Sequence, residues 1–77
     1  MNLSNEWLRR LDQRGSMLQY FEMIREEFDC DFAQISACKT RAGDGLLADI
    51  SPVFFETLGV VKAGHKFVFA KAICQLP

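Results

Sequence analysis

Residues 50–66 read ISPVFFETLGVVKAGHK, and this stretch carries the clearest helix signals of the chain. It predicts a short helix from Pro52 to Leu58. Ser51 suits the N-cap because its hydroxyl accepts a hydrogen bond from an otherwise unpaired backbone N–H, and Pro52 suits the first helical position, where its missing N–H removes no bond. Gly59 predicts the helix end, since the chain often turns left-handed there and glycine does so without a steric penalty.

A second helix is predicted to follow almost at once. Apolar residues recur there at steps of three and four, the spacing of one helical face: Phe69, Ala72, Ile73 and Leu76. Basic residues stand around its start, at Lys62, His65 and Lys66. The C-terminal third is therefore expected to be a helix, a sharp turn and a second helix.

The N-terminal part of the chain predicts two more helices. Ser4 is a candidate cap for a first helix that carries Trp7, Leu8 and Leu11 on one face, and Gly15 is expected to end it. Residues 16–19, SMLQ, have the form of a capping box. Apolar residues at spacings of four, three and four then predict the second helix: Met17, Phe21, Ile24 and Phe28.

The middle of the chain predicts one short helical turn and a loop. Asp31, with Gln34 three residues later, can cap a turn that bears Phe32 and Ile35. Residues 39–45 have loop composition. Five helical segments result. Because the chain has 77 residues and no internal repeat or linker, we expect one all-α domain, a compact five-helix bundle.

The order of these elements resembles a sterile alpha motif (SAM) domain. That family's pattern is an aspartate-glycine, paired leucines, a short helix, leucine-glycine-isoleucine and then glycine-histidine-arginine. Matching residues here are Asp44-Gly45, Leu46-Leu47, Ile50-Ser51, Leu58-Gly59-Val60 and Gly64-His65-Lys66, with Trp7-Leu8, Leu18, Tyr20 and Ile24 fitting the family's opening pattern. The resemblance leaves out a longer central segment around residues 29–43, which is either a longer third helix or an enlarged surface loop.

Composition excludes several classes of function. The chain has no apolar run long enough to cross a bilayer and no signal peptide, so we expect a cytoplasmic or nuclear module of a larger protein. Cys30, Cys38 and Cys74 show no paired spacing, so neither a disulfide framework nor a zinc site is predicted. The single histidine, His65, has no carboxylate near it in sequence. We therefore predict a protein that is not an enzyme and needs no cofactor.

Charge is distributed unevenly along the chain. Residues 22–56 contain eight acids and three bases, whereas residues 57–77 contain three lysines and no acid. An acidic middle and a basic last helix favour contact between the end of one copy and the middle of another. The alternative is that both are ordinary solvated faces, because exposed charge pairs contribute little individually.

The SAM resemblance implies a geometry for such a contact. In SAM domains that self-associate, the start of the last helix, the end-helix surface, docks on the mid-loop surface of a neighbour. By matching positions, the end-helix surface is Lys62, Ala63, Gly64, His65, Lys66 and Val68. The mid-loop surface is Asp44, Asp49 and Glu56, with Asp29 and Asp31 beside the longer segment. The resemblance implies binding to itself or to another SAM domain, as a homo-oligomer or an open polymer.

Two alternatives remain open from the sequence. Some SAM domains bind RNA hairpins, and a basic patch here would consist of Arg9, Arg10, Arg14, Lys62 and Lys66. The pI of about 5.7 argues against nucleic acid, because phosphate-binding domains of this size are normally basic. The other alternative is a monomeric structural domain. His65 also has two interpretations: the SAM pattern favours a role in seating the turn into the last helix over direct binding.

Overall fold

The computed structural model describes residues 3–40 and 47–77, and those residues form an all-α bundle without a β-strand. Its five α-helices are α1 (Leu3–Leu11), α2 (Phe21–Phe28), α3 (Phe32–Ser36), α4 (Pro52–Leu58) and α5 (Ala63–Cys74). Two 3₁₀ turns, Ser16–Tyr20 and Leu47–Asp49, precede α2 and α4. The predicted fold class, a compact five-helix bundle, is confirmed.

Helix α4 has the geometry that residues 51–59 predict. The Ser51 hydroxyl accepts from the backbone N–H of Val53 at 3.3 Å, and Pro52 begins α4. Gly59 ends α4 with φ of 69°, in the left-handed region. Because these signals act within a few residues of one another, the predicted bounds of α4 agree with the observed ones.

The core is organised around aromatic side chains from five elements. Phe69 of α5 is fully buried and contacts the rings of Trp7, Tyr20 and Phe54 at centroid distances of 6.1, 5.4 and 5.1 Å. Phe54 of α4 also contacts Phe28 of α2. Further buried hydrophobic residues surround these rings: Leu8, Met17, Ile24, Ile35, Ile50, Phe55, Leu58, Val60, Ala70, Ala72 and Ile73. The short helices are therefore joined by one shared core, which sets the position of α5 against α1, α2 and α4.

Three predictions at the N-terminal end were wrong. Ser4 is not a cap: it lies inside α1, its side chain is buried, and its hydroxyl donates to the Cys30 carbonyl at 3.2 Å. The SMLQ sequence does not form a capping box either. The Ser16 hydroxyl donates to the Asp12 carboxylate instead, and residues 16–20 form a 3₁₀ turn before α2. Helix α1 also ends at Leu11, four residues before Gly15.

The longer central segment is partly core. Asp31 caps α3 as predicted, its carboxylate accepting from the Ala33 N–H at 2.9 Å, and Ile35 is fully buried. Helix α3 packs against α2 and α5. The predicted mid-loop residue Asp44 lies outside the described residues.

None of the helices within the described residues is both long and apolar enough to span a membrane.

Candidate functional site

The N-terminal end of α5 is open to solvent. Lys62 is the N-cap residue and makes no side-chain capping bond, and Lys62, Ala63 and Gly64 are exposed. A Cβ added at Gly64 would meet nothing within 4 Å. The first turn of α5 contains no acidic residue. The free N–H groups and the positive end of the helix dipole therefore lie beside Lys62 and Lys66, which makes the first turn of α5 electropositive.

His65 joins this end of α5 to the core. Its Nδ1 lies 2.6 Å from the Tyr20 hydroxyl, and the two rings meet edge to face at 5.5 Å. Tyr20 is buried, and burial raises the pKa of its phenol, so the hydroxyl keeps its proton over the physiological range. The His65 side chain is half-buried. This geometry favours the structural interpretation of His65, since its contact fixes the start of α5 against the Ser16–Tyr20 turn.

A groove of about 400 Å³ separates α4 from the start of α5. Its lining is mostly apolar, with one acid and one base: Pro52, Phe55, Glu56, Gly59, Val60, Val61 and Lys66. Glu56 therefore belongs to the same surface as Lys66. The packing of α4 against α5 places Glu56 beside the end-helix surface, whereas the sequence assigned it to a separate mid-loop surface.

The rest of the end-helix surface is uneven. Lys66 is half-buried in the groove wall, and Val68 is half-buried against the core. Val68 is therefore not a freely presented contact. In contrast, Val61 is 80% exposed and Phe67 is 56% exposed, although neither was assigned to the surface from the sequence. Val60, next to Val61, is buried, and the sequence holds no signal that separates these two adjacent valines.

The predicted mid-loop acids have different environments. Asp49 is only 1% exposed, so its side chain cannot contribute to an exposed acidic surface, and that assignment was wrong. Asp29 and Asp31 are exposed. The Asp29 carboxylate accepts from Gln34 Nε2 at 3.0 Å. We call residues 29–31 the acidic turn; within the described residues it is what remains of the predicted mid-loop surface.

The end-helix surface and the acidic turn lie at opposite ends of α2. Tyr20, the N-cap residue of α2, contacts His65 in the first turn of α5, whereas Asp29 is the C-cap residue of α2. Eight helical residues separate the caps, a length of about 12 Å at 1.5 Å per residue. Because the two surfaces lie at opposite ends of α2, the end-helix surface of one copy can contact the acidic turn of a second copy, head to tail.

The acidic turn is held in an unusual conformation. Asp29 and Cys30 both have φ of 54°, in the left-handed region that few residues other than glycine adopt. The Asp31 N–H donates to the Phe28 carbonyl at 2.8 Å, and the Ser4 hydroxyl bonds the Cys30 carbonyl. The turn is therefore fixed both to α2 and to the start of α1.

A second, smaller pocket of about 210 Å³ lies beside the acidic turn. Its lining consists of Leu3, Glu6, Trp7, Arg10, Phe32 and Leu76. Leu3 is 59% exposed at its edge, and the Trp7 and Phe32 rings meet edge to face at 5.6 Å. The sequence did not indicate this pocket, because it depends on the packing of α1 against α3.

Other chemistry in the described residues is sparse. No group of three or more His, Cys, Asp or Glu side chains there is arranged to hold a metal ion. The three cysteines are free thiols and half-buried, and burial raises the pKa of the Cys38 thiol. Arg9, Arg10 and Arg14, the other part of the predicted RNA-binding patch, are exposed at the C-terminal end of α1 and just beyond it.

Comparison with known proteins identifies no relative: no protein-family model matches the chain, and neither a curated protein nor a solved structure does.

Proposed function

We propose that this chain is a protein-interaction module of SAM type, which associates with itself or with another SAM domain through the start of α5. The supporting observation is the open, electropositive N-terminal end of α5, formed by Lys62, Ala63, Gly64 and Lys66. Backbone N–H groups and lysines together favour a carboxylate-bearing partner. Gly64 allows that partner a close backbone approach, since nothing occupies the space beside it.

The acceptor in a second copy is the acidic turn. Asp29 and Asp31 are exposed, and α2 separates them from the end-helix surface of the same copy. A head-to-tail contact is heterologous, so successive copies add without closing unless a rotation or a capping partner stops them. The electrostatic part of this contact acts on the association rate and weakens with salt. We propose a cytoplasmic or nuclear location for such a module.

The first experiment measures mass against concentration. Sedimentation velocity of the wild type from micromolar to near-millimolar concentration is expected to show rising average mass. Lys66→Glu is expected to suppress the rise. Lys71→Glu is the matched control, because it makes the same charge change on an exposed residue in the last turn of the same helix. Equal effects of the two substitutions would show that net charge, not the end-helix surface, governs association.

A mixing experiment tests the polarity of the contact. The acceptor variant carries Asp29→Asn and Asp31→Asn, which remove two charges while asparagine still tolerates the left-handed region and still caps a helix. This variant and Lys66→Glu are each expected to remain monomeric. Mixed together they are expected to form a one-to-one pair, because each retains the surface that the other lacks. A mixture that stays monomeric would contradict the head-to-tail arrangement.

A wild type that remains monomeric at all concentrations and binds no SAM domain would refute the proposal. A gel-shift assay with an RNA hairpin at low salt tests the alternative function, RNA binding. Binding there that weakens steeply as salt rises would favour the basic patch on α1 and α5 instead.

A further inference from the structure

Resting on the proposed function, we infer that Val61 of one copy inserts into the pocket between α1 and α3 of a second copy. Two apolar surface features, one convex and one concave, support this contact. Val61 is a branched aliphatic side chain that is 80% exposed, next to Lys62 in the connection that leads into α5. The pocket lined by Leu3, Trp7 and Phe32 is concave and lies beside the acidic turn.

Size and shape fit this pairing. The pocket has a volume of about 210 Å³. Apolar cavities of roughly 150 Å³ bind benzene, so an isopropyl group fits within the larger space. Two half-buried aromatic rings and the exposed Leu3 form its apolar walls. A single aliphatic side chain in such a pocket is the kind of central anchor that concentrates binding energy in small interfaces.

Charge is complementary around the same pair. Lys62 follows Val61, and Lys66 lies in the groove that Val61 also lines. Glu6 and Arg10 line the pocket. The acidic turn is connected to the edge of the pocket at two points. Asp31 precedes Phe32 in the chain, and Ser4, next to Leu3, bonds the Cys30 carbonyl. The acids Glu6, Asp29 and Asp31 outnumber the base Arg10 on the pocket side. On the inserting copy the two lysines outnumber Glu56, which lines the same groove as Val61.

The Val61 contact also adds a contribution to binding that does not depend on salt. Exposed ion pairs contribute little on their own. Burial of an aliphatic side chain adds an apolar term that salt does not screen. The association is therefore expected to lose only part of its strength at high salt, with the remainder carried by Val61.

Trp7 provides a direct assay, because it is the only tryptophan of the chain and it lines the pocket. As the concentration of wild type rises, its emission is expected to shift to shorter wavelength and its quenching by acrylamide to fall. Val61→Ser is expected to weaken association by about tenfold or more and to abolish the shift. Val53→Ser is the matched control, since Val53 is also exposed, at 62%, but lies on α4 outside both the pocket and the groove lining.

A second variant, Leu3→Lys, alters the pocket and leaves Val61 unchanged. Leu3→Lys places a charge at the pocket edge, and circular dichroism checks that both variants keep their helices. Mixed with Val61→Ser, it is expected to give a one-to-one pair, with the Trp7 shift in the Val61→Ser copy. Association without a change at Trp7, or equal effects of Val61→Ser and Val53→Ser, would overturn the Val61 contact and leave the proposed function standing. No association of the wild type at any concentration would overturn both.

Discussion

Gly59 and Gly64 offer a matched test of what holds the α4–α5 segment. A Cβ added at either position meets nothing within 4 Å. The two substitutions to alanine therefore differ in backbone conformation and not in steric contact. Gly59 has φ of 69°, whereas Gly64 lies in the first turn of α5. The same chemical change should consequently alter the free energy of unfolding in opposite directions.

The expected magnitudes follow from these conformations. Alanine in the left-handed region costs about 1–2 kcal/mol, partly offset by the lower entropy of the unfolded chain, so Gly59→Ala should destabilise by about 1 kcal/mol. Alanine in a helix is favoured over glycine, so Gly64→Ala should stabilise by up to about 1 kcal/mol. For a domain of this size, 1 kcal/mol corresponds to a Tm change of about 4–8 °C.

The assay is thermal and urea unfolding followed by circular dichroism, at a protein concentration below that at which mass begins to rise, because association would stabilise the folded state. Gly59→Ala should lower Tm and Gly64→Ala should raise it. Tm shifts of the same sign would show that backbone conformation does not decide the effect of alanine at these two glycines. At high concentration Gly64→Ala should associate more weakly than wild type despite its higher Tm, because the added methyl group occupies the space proposed for the partner's backbone.

Three further predictions test single interactions. Tyr20→Phe removes the bond to His65 and should destabilise the fold by about 1 kcal/mol, with a shift of the His65 ring resonances in NMR as the specific readout. Asp29→Gly relieves the left-handed strain at φ of 54° and should raise Tm by a few degrees in thermal unfolding while weakening association; no gain in Tm would contradict the strain argument. Hydrogen bonds from the Ser16 hydroxyl and the Arg14 N–H lower the pKa of Asp12. The contribution of Asp12 to stability is therefore present above the ordinary aspartate pKa and is lost as the pH falls through the lowered value. An NMR titration of Asp12 in wild type and in Ser16→Ala should show a higher pKa in the variant.

The sequence predicted best those features that short-range contacts decide. Ser51, Pro52 and Gly59 act on the backbone within one or two residues, and Asp31 caps α3 through the N–H of Ala33. The apolar spacing that placed Phe69 and Ile73 in the core also reflects local helical geometry.

Features that depend on distant residues were missed. Ser4 looked like a cap, but its hydroxyl bonds a carbonyl 26 residues away. Ser16 matched a capping box, but Asp12 accepts its hydroxyl. Glu56 and Lys66 reach one groove only because α4 packs beside α5. Asp49 looked like an exposed acid and is buried. Charge counted along the chain therefore does not reveal which acids are exposed, because exposure depends on how the helices pack.

The acidic turn is the place where local preferences and the fold disagree most. Glu26 and Glu27 lie near the C-terminal end of α2 and Asp29 is its C-cap residue, where negative charges oppose the helix dipole. Two consecutive non-glycine residues there have positive φ. Tertiary bonds from Ser4 and Gln34 hold the turn in spite of both effects. Conflicts of this kind are expected at functional sites, where one residue serves two requirements. Stability of the monomer and strength of the proposed contact should therefore change in opposite directions when Asp29 is replaced, whereas at Tyr20, which supports the fold and the docking end alike, they should fall together.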